Sequence, residues 1–436
     1  MKKHRLLISL LILLLCCACQ TQGTESGGES SLKRERSAAP QSQVPTLRVL
    51  TDLAMGGSFS SRSLMEFLKT VPEYKSEYKL TFQSLPPAEN AEAREGEVTR
   101  LRIDMMAGKG PDVLILRNFY DRTGVMPDIK NLFPVPQSAM KQNLFLPLDD
   151  YIANAKYMDW DKLLPAVMDA GRDQEGRQVL LPMSYFFDTA LFEKDQYNLT
   201  AQLPMTRMEM LNSAGAGVQW AGLGLMDSFS TAFAGQVDYP GEKLLFTEEE
   251  LLELVQKSRD LWKEKEAQGE DCSGIGCTVR EISVGPINES FFHLKAPDYI
   301  MIPGYNSQGG VTAFVNTYAA IYSGTQYPDQ AFAFLDSLLS KEAQQQVVDL
   351  WGMRLPVHMD LCQKEEKTAD GWYLSEWNYQ QFTEVRDQIN AVEYMTPVVI
   401  ELMELWPQVN AAEDEAQLEK LVHDSYTRMQ MILAES

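Results

Sequence analysis

Cysteine and histidine are scarce in this chain: six and four in 436 residues. Three of the cysteines, Cys16, Cys17 and Cys19, crowd into the N-terminus, leaving Cys272, Cys277 and Cys362 for the rest. So few exclude a disulfide scaffold. Cys272 and Cys277 flank Ser273-Gly274-Ile275-Gly276, a flexible run that leaves a local bridge and free thiols both open. A structural zinc site needs four ligands, and the nearest histidine, His293, has no second histidine at ligand spacing, so no metal is expected. His293, His358 and His423 fall in no H-E-x-x-H pattern and near no G-x-S-x-G elbow. The paired glycines Gly215/Gly217 and Gly222/Gly224 lack the third glycine of a dinucleotide fingerprint, and no phosphate-binding loop with its lysine occurs. No cofactor is expected.

Positive charge is also short. Lys and Arg number 39 against 61 Asp and Glu, a formal net charge of −22. An acidic body avoids polyanions, which argues against nucleic-acid and anionic-lipid binding. Apolar runs of membrane-spanning length are missing as well. The one long run, Leu6–Leu15, broken only by Ser9, is about half of the ~20 residues a spanning helix needs. Behind Lys2, Lys3 and Arg5 it has the layout of a signal peptide. It ends in Cys16-Cys17-Ala18-Cys19, which resembles the lipobox of bacterial lipoproteins, with Cys16 where leucine is usual. The resemblance implies cleavage before Cys19 and a lipid on its thiol, hence a membrane anchor on the extracytoplasmic face. Residues 20–45 are rich in Ser, Gly, Gln and Glu without apolar periodicity, so a disordered tether is expected, with an r.m.s. reach of roughly 25–30 Å.

What remains is an ordinary globular composition, 44% hydrophobic and 23% charged. Thr46–Asp52 reads as a buried strand, Arg62–Val71 as a helix, Tyr78–Gln83 as a strand and Ala88–Ala107 as a helix ended by Gly108. Val113–Leu116 is a short continuous apolar strand of the parallel-sheet kind. Strands alternating with helices at this spacing predict an α/β layered fold. Farther on, Trp160–Ala170 reads as a helix and Gln178–Met183 as a strand. Thr247–Ala267 reads as a helix opened by a Thr247/Glu250 capping box. Strands return at Tyr299–Ile302 and Val311–Val315. The last hundred residues read as almost wholly helical, including Asp329–Leu339, Gln380–Val392 and Ala416–Leu433. No internal repeat is visible.

Four stretches in this order resemble the family 1 extracellular solute-binding proteins, the maltose-binding-protein-like receptors that feed ABC importers. They are Arg102–Leu116 with its Gly-Pro-Asp turn, Leu146–Pro182, Gly309-Gly310 through Ala331–Gln344, and Leu355-Pro356-Val357. The segment Leu203–Phe292 matches least. The resemblance implies a two-lobed periplasmic-binding-protein-like fold with a ligand cleft between lobes joined by hinge crossings, closing on its solute. It implies lobe 1 from 46–184 and 298–340, and lobe 2 from 185–297 and 341–436, with the first crossing near Met183–Thr189. It further implies a monomer that captures a small solute, a sugar by preference, and passes it to ABC permease subunits.

Sugar sites need flat aromatic faces with planar amides and carboxylates for the hydroxyls. Such groups at strand ends and crossings are Asp52, Asn118, Tyr120, Tyr185, Trp220, Tyr305 and Trp351, each a candidate ligand contact. Asp52 has a helix cap as its other reading, Trp351 plain packing. Three aromatics in a row at Tyr185–Phe187 cannot all face one way. Trp262, Trp372, Trp377 and Trp406 read as packing residues. No motif singles out a catalytic pair, so no enzyme is expected; the rival readings are a lipid-anchored envelope glycosidase, and a sensory or adhesive lipoprotein on the same fold.

Overall fold

The computed structural model describes residues 44–52, 59–118, 130–193, 205–213, 229–268, 299–346, 355–362 and 376–436. All of them fall in the unit Val44–Ser436. The signal segment, Cys19 and the tether up to residue 43 lie outside the described residues. The strands are β1 (Thr46–Thr51), β2 (Lys79–Ser84), β3 (Val113–Arg117), β4 (Leu181–Phe187), β5 (Thr189–Glu193), β6 (Val237–Asp238), β7 (Lys243–Leu244), β8 (Tyr299–Pro303), β9 (Val311–Ile321), β10 (Leu355–Pro356) and β11 (Ile389–Tyr394). The longer helices are α1 (Phe59–Leu68), α2 (Ala91–Met106), α3 (Glu248–Gln268), α4 (Pro328–Leu338), α5 (Glu376–Arg386), α6 (Pro397–Asn410) and α7 (Glu415–Glu435).

One seven-stranded sheet draws its strands from residues 46 to 394, in the order β10-β4-β9-β3-β1-β2 with β11 paired to β9. β1 runs parallel to β2 and β3, whereas β9 is antiparallel to β3 and β4. Side chains alternate across a strand, so Val49, Val113 and Ile115 face α1 and α4, against Leu64, Phe67, Phe334 and Leu335. Leu50, Leu114 and Leu116 face α2, against Val98, Leu101 and Met105. Apolar cover on both faces explains the unbroken Val-Leu-Ile-Leu run of β3. Each such side chain contributes about 1.5–3 kcal/mol on burial. Gly108 ends α2 at φ +77°, left-handed backbone that glycine adopts without a Cβ clash.

A second apolar centre gathers α3, α6 and α7. Leu251, Leu254 and Val255 meet Val398, Leu402 and Leu405, with Leu418, Val422 and Met429 closing the third side. The helical spacing of these residues is why each helix buries one stripe. Thr247 accepts from the Glu250 amide while Glu250 Oε2 accepts from the Thr247 amide, the expected capping box. Trp406 is buried here and Trp262 packs partly buried against it. The chain passes from the large sheet to this second region through Asp188, between β4 and β5. It returns from β8, which pairs with β5, through residues 304–310 into β9. The architecture is α/β and two-lobed.

Three elements differ from the sequence reading. The expected helix Gln380–Val392 ends at Arg386, and residues 389–394 form β11, so the C-terminal hundred residues are not wholly helical. β11 carries an irregularity between Ile389 and Ala391 that breaks its alternation, and partner strand β9 supplies the order that the local pattern lacks. The expected helix Trp160–Ala170 is interrupted at Leu163–Leu164 because Pro165 starts a new helix instead of continuing the old one. The strand expected at Gln178–Met183 runs from Leu181 to Phe187, reaching the crossing itself. β10 and β11, from the stretch assigned to lobe 2, hydrogen-bond into the large sheet.

Candidate functional site

In the sheet, β2 lies on one side of β1 and β3 on the other. The chain thus goes from β1 to β2 on one side and from β2 to β3 on the other, and in open α/β sheets ligands bind in the crevice at such a switch point. Asp52 follows β1 and Asn118 follows β3, so two of the candidates stand at this switch point.

Asp52 is buried and held by Arg94 of α2 through two parallel bonds, Nη1 to Oδ1 and Nη2 to Oδ2, both 2.8 Å. Burial pushes the Asp52 carboxyl above its ordinary pKa, against the pull of Arg94 and Arg117. The same guanidinium donates to the carbonyls of Pro86 and Lys130, at 2.8 and 2.7 Å. One arginine thus ties together the ends of β1, β2 and the segment that returns at residue 130. Asn118, also buried, donates to the carbonyls of Pro134 and Met395 and accepts from the Tyr318 hydroxyl, at 3.2, 3.4 and 3.4 Å. It links β3 to the segment after β11.

Tyr185 and Tyr305 are both fully enclosed. Tyr185 stacks along β4 on Phe187, which stacks in turn on Phe382, while Phe186 turns to the opposite face onto Phe314. Tyr305 belongs to the second apolar centre; burial pushes its hydroxyl pKa up, and that oxygen has no hydrogen-bond partner among the described residues. Its carbonyl accepts from Arg207 Nε at 2.7 Å. Tyr120, Trp220 and Trp351 lie outside the described residues, as do Cys272 and Cys277. Among the described residues no cluster of His, Cys, Asp or Glu could hold a metal ion, and no helix is long and apolar enough to cross a membrane.

A second polar group was not visible in the sequence. Gln137, in the short helix Pro136–Lys141, donates Nε2 to Glu393 Oε2 of β11 at 3.0 Å. Burial pushes the Glu393 carboxyl well above the usual carboxylate range. Tyr239, after β6, shares a 2.6 Å hydrogen bond with Thr396 beside it. Two cavities open here. One of about 540 Å³ is mostly apolar, walled by Met105, Leu132, Phe133, Val135 and Ile432. The other, about 210 Å³, lies between the 136–141 helix and the β6–β7 hairpin, with Gln137, Lys141, Tyr239 and Glu242 in its wall. Nothing local in the sequence marks this group: Gln137 is the second residue of a proline-started helix, and its partner is 256 residues away.

The structure is thus an α/β body whose chain crosses between two packed regions, with polar groups at the ends of β1 and β3. Residues 62–345 match the family model of the bacterial extracellular solute-binding proteins, more than half of the chain, and the chain belongs to that family. It is a maltose-binding-protein-like member in fold. The sugar-binding protein MalE of Xanthomonas citri superposes with a TM-score of 0.56 at 16% identity, over 89% of this chain and 98% of that one. A periplasmic oligogalacturonide-binding protein of Yersinia enterocolitica gives 0.55 at 12%, over 89% and 99%. A de novo designed cysteine esterase gives 0.58 at 13%, over 90% and 99%. At these identities the likeness is one of fold, and the designed esterase shows how little a fold says about chemistry. No curated protein sequence matches the chain.

Proposed function

We propose that this extracellular solute-binding protein captures a carbohydrate between its lobes and delivers it to the permease of an ABC importer, as a monomer without catalytic activity. The observation that carries the reading is the match of residues 62–345 to the solute-binding family on a chain that crosses between two packed regions, with the Asn118 carboxamide at the end of β3. The Gln137–Glu393 pair adds a second amide and carboxyl near a cavity, and these are the groups that bond sugar hydroxyls in both directions. The sugar-binding and oligogalacturonide-binding proteins that share the fold favour the same class. Asn118, Tyr120, Trp220 and Trp351 remain proposed contacts with the solute. Asp52, Tyr185 and Tyr305 are enclosed, against Arg94, Phe187 and Arg207, and their part in this reading is to hold the scaffold.

The anchor belongs to the same reading: a lipid on Cys19 keeps the receptor at the cell membrane, with residues 20–45 as its leash. A thermal-shift screen of mono- and oligosaccharides tests the binding. Stabilisation follows RT ln(1 + [L]/Kd), about 2.7 kcal/mol at a hundredfold excess over Kd. A flat response to every sugar would count against carbohydrate, and release of shorter sugars on incubation would turn the reading to a glycosidase. Cys19→Ala should move the protein from the membrane fraction to the soluble one.

A further inference from the structure

Charge is spread unevenly over this acidic chain. The parallel strands β1, β2 and β3 share one amino-terminal edge, formed by residues 45–48, 69–79 and 107–112. The Lys79 amide donates to the Pro45 carbonyl at 2.8 Å and the Asp112 amide to the Arg48 carbonyl at 2.9 Å, so the start of β1 lies between the starts of β2 and β3. Five cations stand exposed on this edge: Arg48, Lys69, Lys75, Lys79 and Lys109. Two of its carboxylates are buried. Glu73 accepts from Lys156 and Tyr157, and Asp112 from the Arg48 amide and the Thr325 hydroxyl. That leaves Glu77, with Glu66 and Asp329 on the adjoining helices α1 and α4. Five exposed cations against three exposed carboxylates reverse the balance of the whole chain, in which 39 cations face 61 carboxylates.

Two apolar side chains join them. Met106, the last residue of α2, is 80% exposed, and Tyr327, just ahead of α4, is 40% exposed. The bond from Thr325 to Asp112, 2.7 Å long, keeps the approach to Tyr327 at this edge. Such a surface suits an anionic bilayer. Lysine and arginine meet the headgroup charge, and tyrosine settles where water gives way to apolar chains.

Connectivity brings the same edge to the membrane. Val44 leads directly into β1 at Thr46, so a lipid on Cys19 holds the body by this end. The switch point is at the other end of β1, six residues or roughly 20 Å away.

We propose that the amino-terminal edge of the sheet is a docking surface for an anionic phospholipid bilayer, which rests the receptor with its solute-binding end turned outward. This contact rests on the anchored receptor above and adds an orientation to it. Attraction to a charged surface fades within a Debye length, about 8 Å at physiological ionic strength. The rest of the acidic body is repelled, so this edge alone is held, and a turn of the body on its leash frees it for the permease. The net charge argues against anionic lipid; this edge is a local exception that the sum over the chain hides.

Vesicle co-sedimentation of the chain without its lipid, residues 20–436, tests the contact apart from the anchor. Binding to equal parts of phosphatidylglycerol and phosphatidylcholine should exceed binding to phosphatidylcholine alone about fivefold or more. The excess should vanish in 1 M salt, where the Debye length is about 3 Å. Lys79→Glu/Lys109→Glu should lose it too. Lys263→Glu/Lys420→Glu changes the net charge equally from exposed positions on α3 and α7, and should bind within about twofold of wild type. Hydrogen exchange on the anionic vesicles should slow at 69–79 and 107–112 and stay unchanged at 237–244. No preference for anionic vesicles, equal loss in both double variants, or protection at 237–244 instead overturns the surface. Equal binding to soluble polyphosphate assigns the edge to an anionic polymer and overturns the bilayer. Failure of the anchor is read separately, in the fractionation of Cys19→Ala, because the vesicle test contains no lipidated protein.

Discussion

Two polar groups in this protein have the same ingredients and opposite conditions. At the end of β1, Asp52 and Arg94 are buried and matched, each carboxylate oxygen taking one guanidinium bond and the remaining donors reaching carbonyls. In β11, Glu393 is half-buried, as is Gln137, whose amide nitrogen donates to it, and a cavity lies alongside. The first arrangement is closed and can only hold the scaffold. The second is looser, one bond between two half-buried side chains. A polar residue at a strand end is therefore not a contact by position alone; what matters is whether its bonding capacity is already spent.

The contrast can be broken most forcefully at Arg94. Arg94→Met strands the Asp52 carboxylate, and removing one partner of a buried pair costs about 3–5 kcal/mol; chemical denaturation reads it directly. The double replacement Asp52→Leu/Arg94→Met should recover most of that loss, and failure to recover would mean the carbonyl bonds of Arg94 matter more than the charge pair. Asn118→Ala removes three shared bonds at the next strand end and should cost about 1–3 kcal/mol. Its effect on affinity separates a cleft contact from a brace.

The open group behaves differently with pH. Glu393 has its folded pKa raised above the ordinary 4.5, so the folded state holds the proton longer than the unfolded state does. Stability therefore falls as pH rises from that ordinary value towards the folded one. Glu393→Gln removes the penalty: its melting temperature should exceed wild type by a few degrees at pH 8, with the gap closing below about pH 4.5. An equal gap at both pH values would show that the carboxyl is not the titrating group. At the small end, Arg100→Ala breaks an exposed pairing with Glu97 and Asp104 and should change stability by less than about 1 kcal/mol.

Much of the sheet was legible in the sequence because its strands are apolar on both faces. Val113–Leu116 needs no context to read as a buried strand, and Thr247 with Glu250 announces a helix start. β11 was not legible, since Ile389–Tyr394 carries Asn390 and Glu393 among small apolar residues and follows a helix without a strong stop. Its strand character comes from lying beside β9, with Asn390 packed where a Cβ on Gly310 would collide and bonded to Asn306 at 2.7 Å. The site divided the same way. Asp52 and Asn118 stood out by position, but Arg94 as a partner, 42 residues from Asp52, and the Gln137–Glu393 pair, 256 residues apart, arise only from folding, because no local pattern encodes contacts at such separations.

The pairing of β3 with β9 has a consequence for the order of events in the cell. Val113 meets Ile321, Leu181 meets Ala319, and β11 joins only from residue 389 onward. The large sheet therefore cannot be completed while the last part of the chain is still being made, and such long-range pairing is slow to form. A protein that acts outside the cytoplasm gains from that delay.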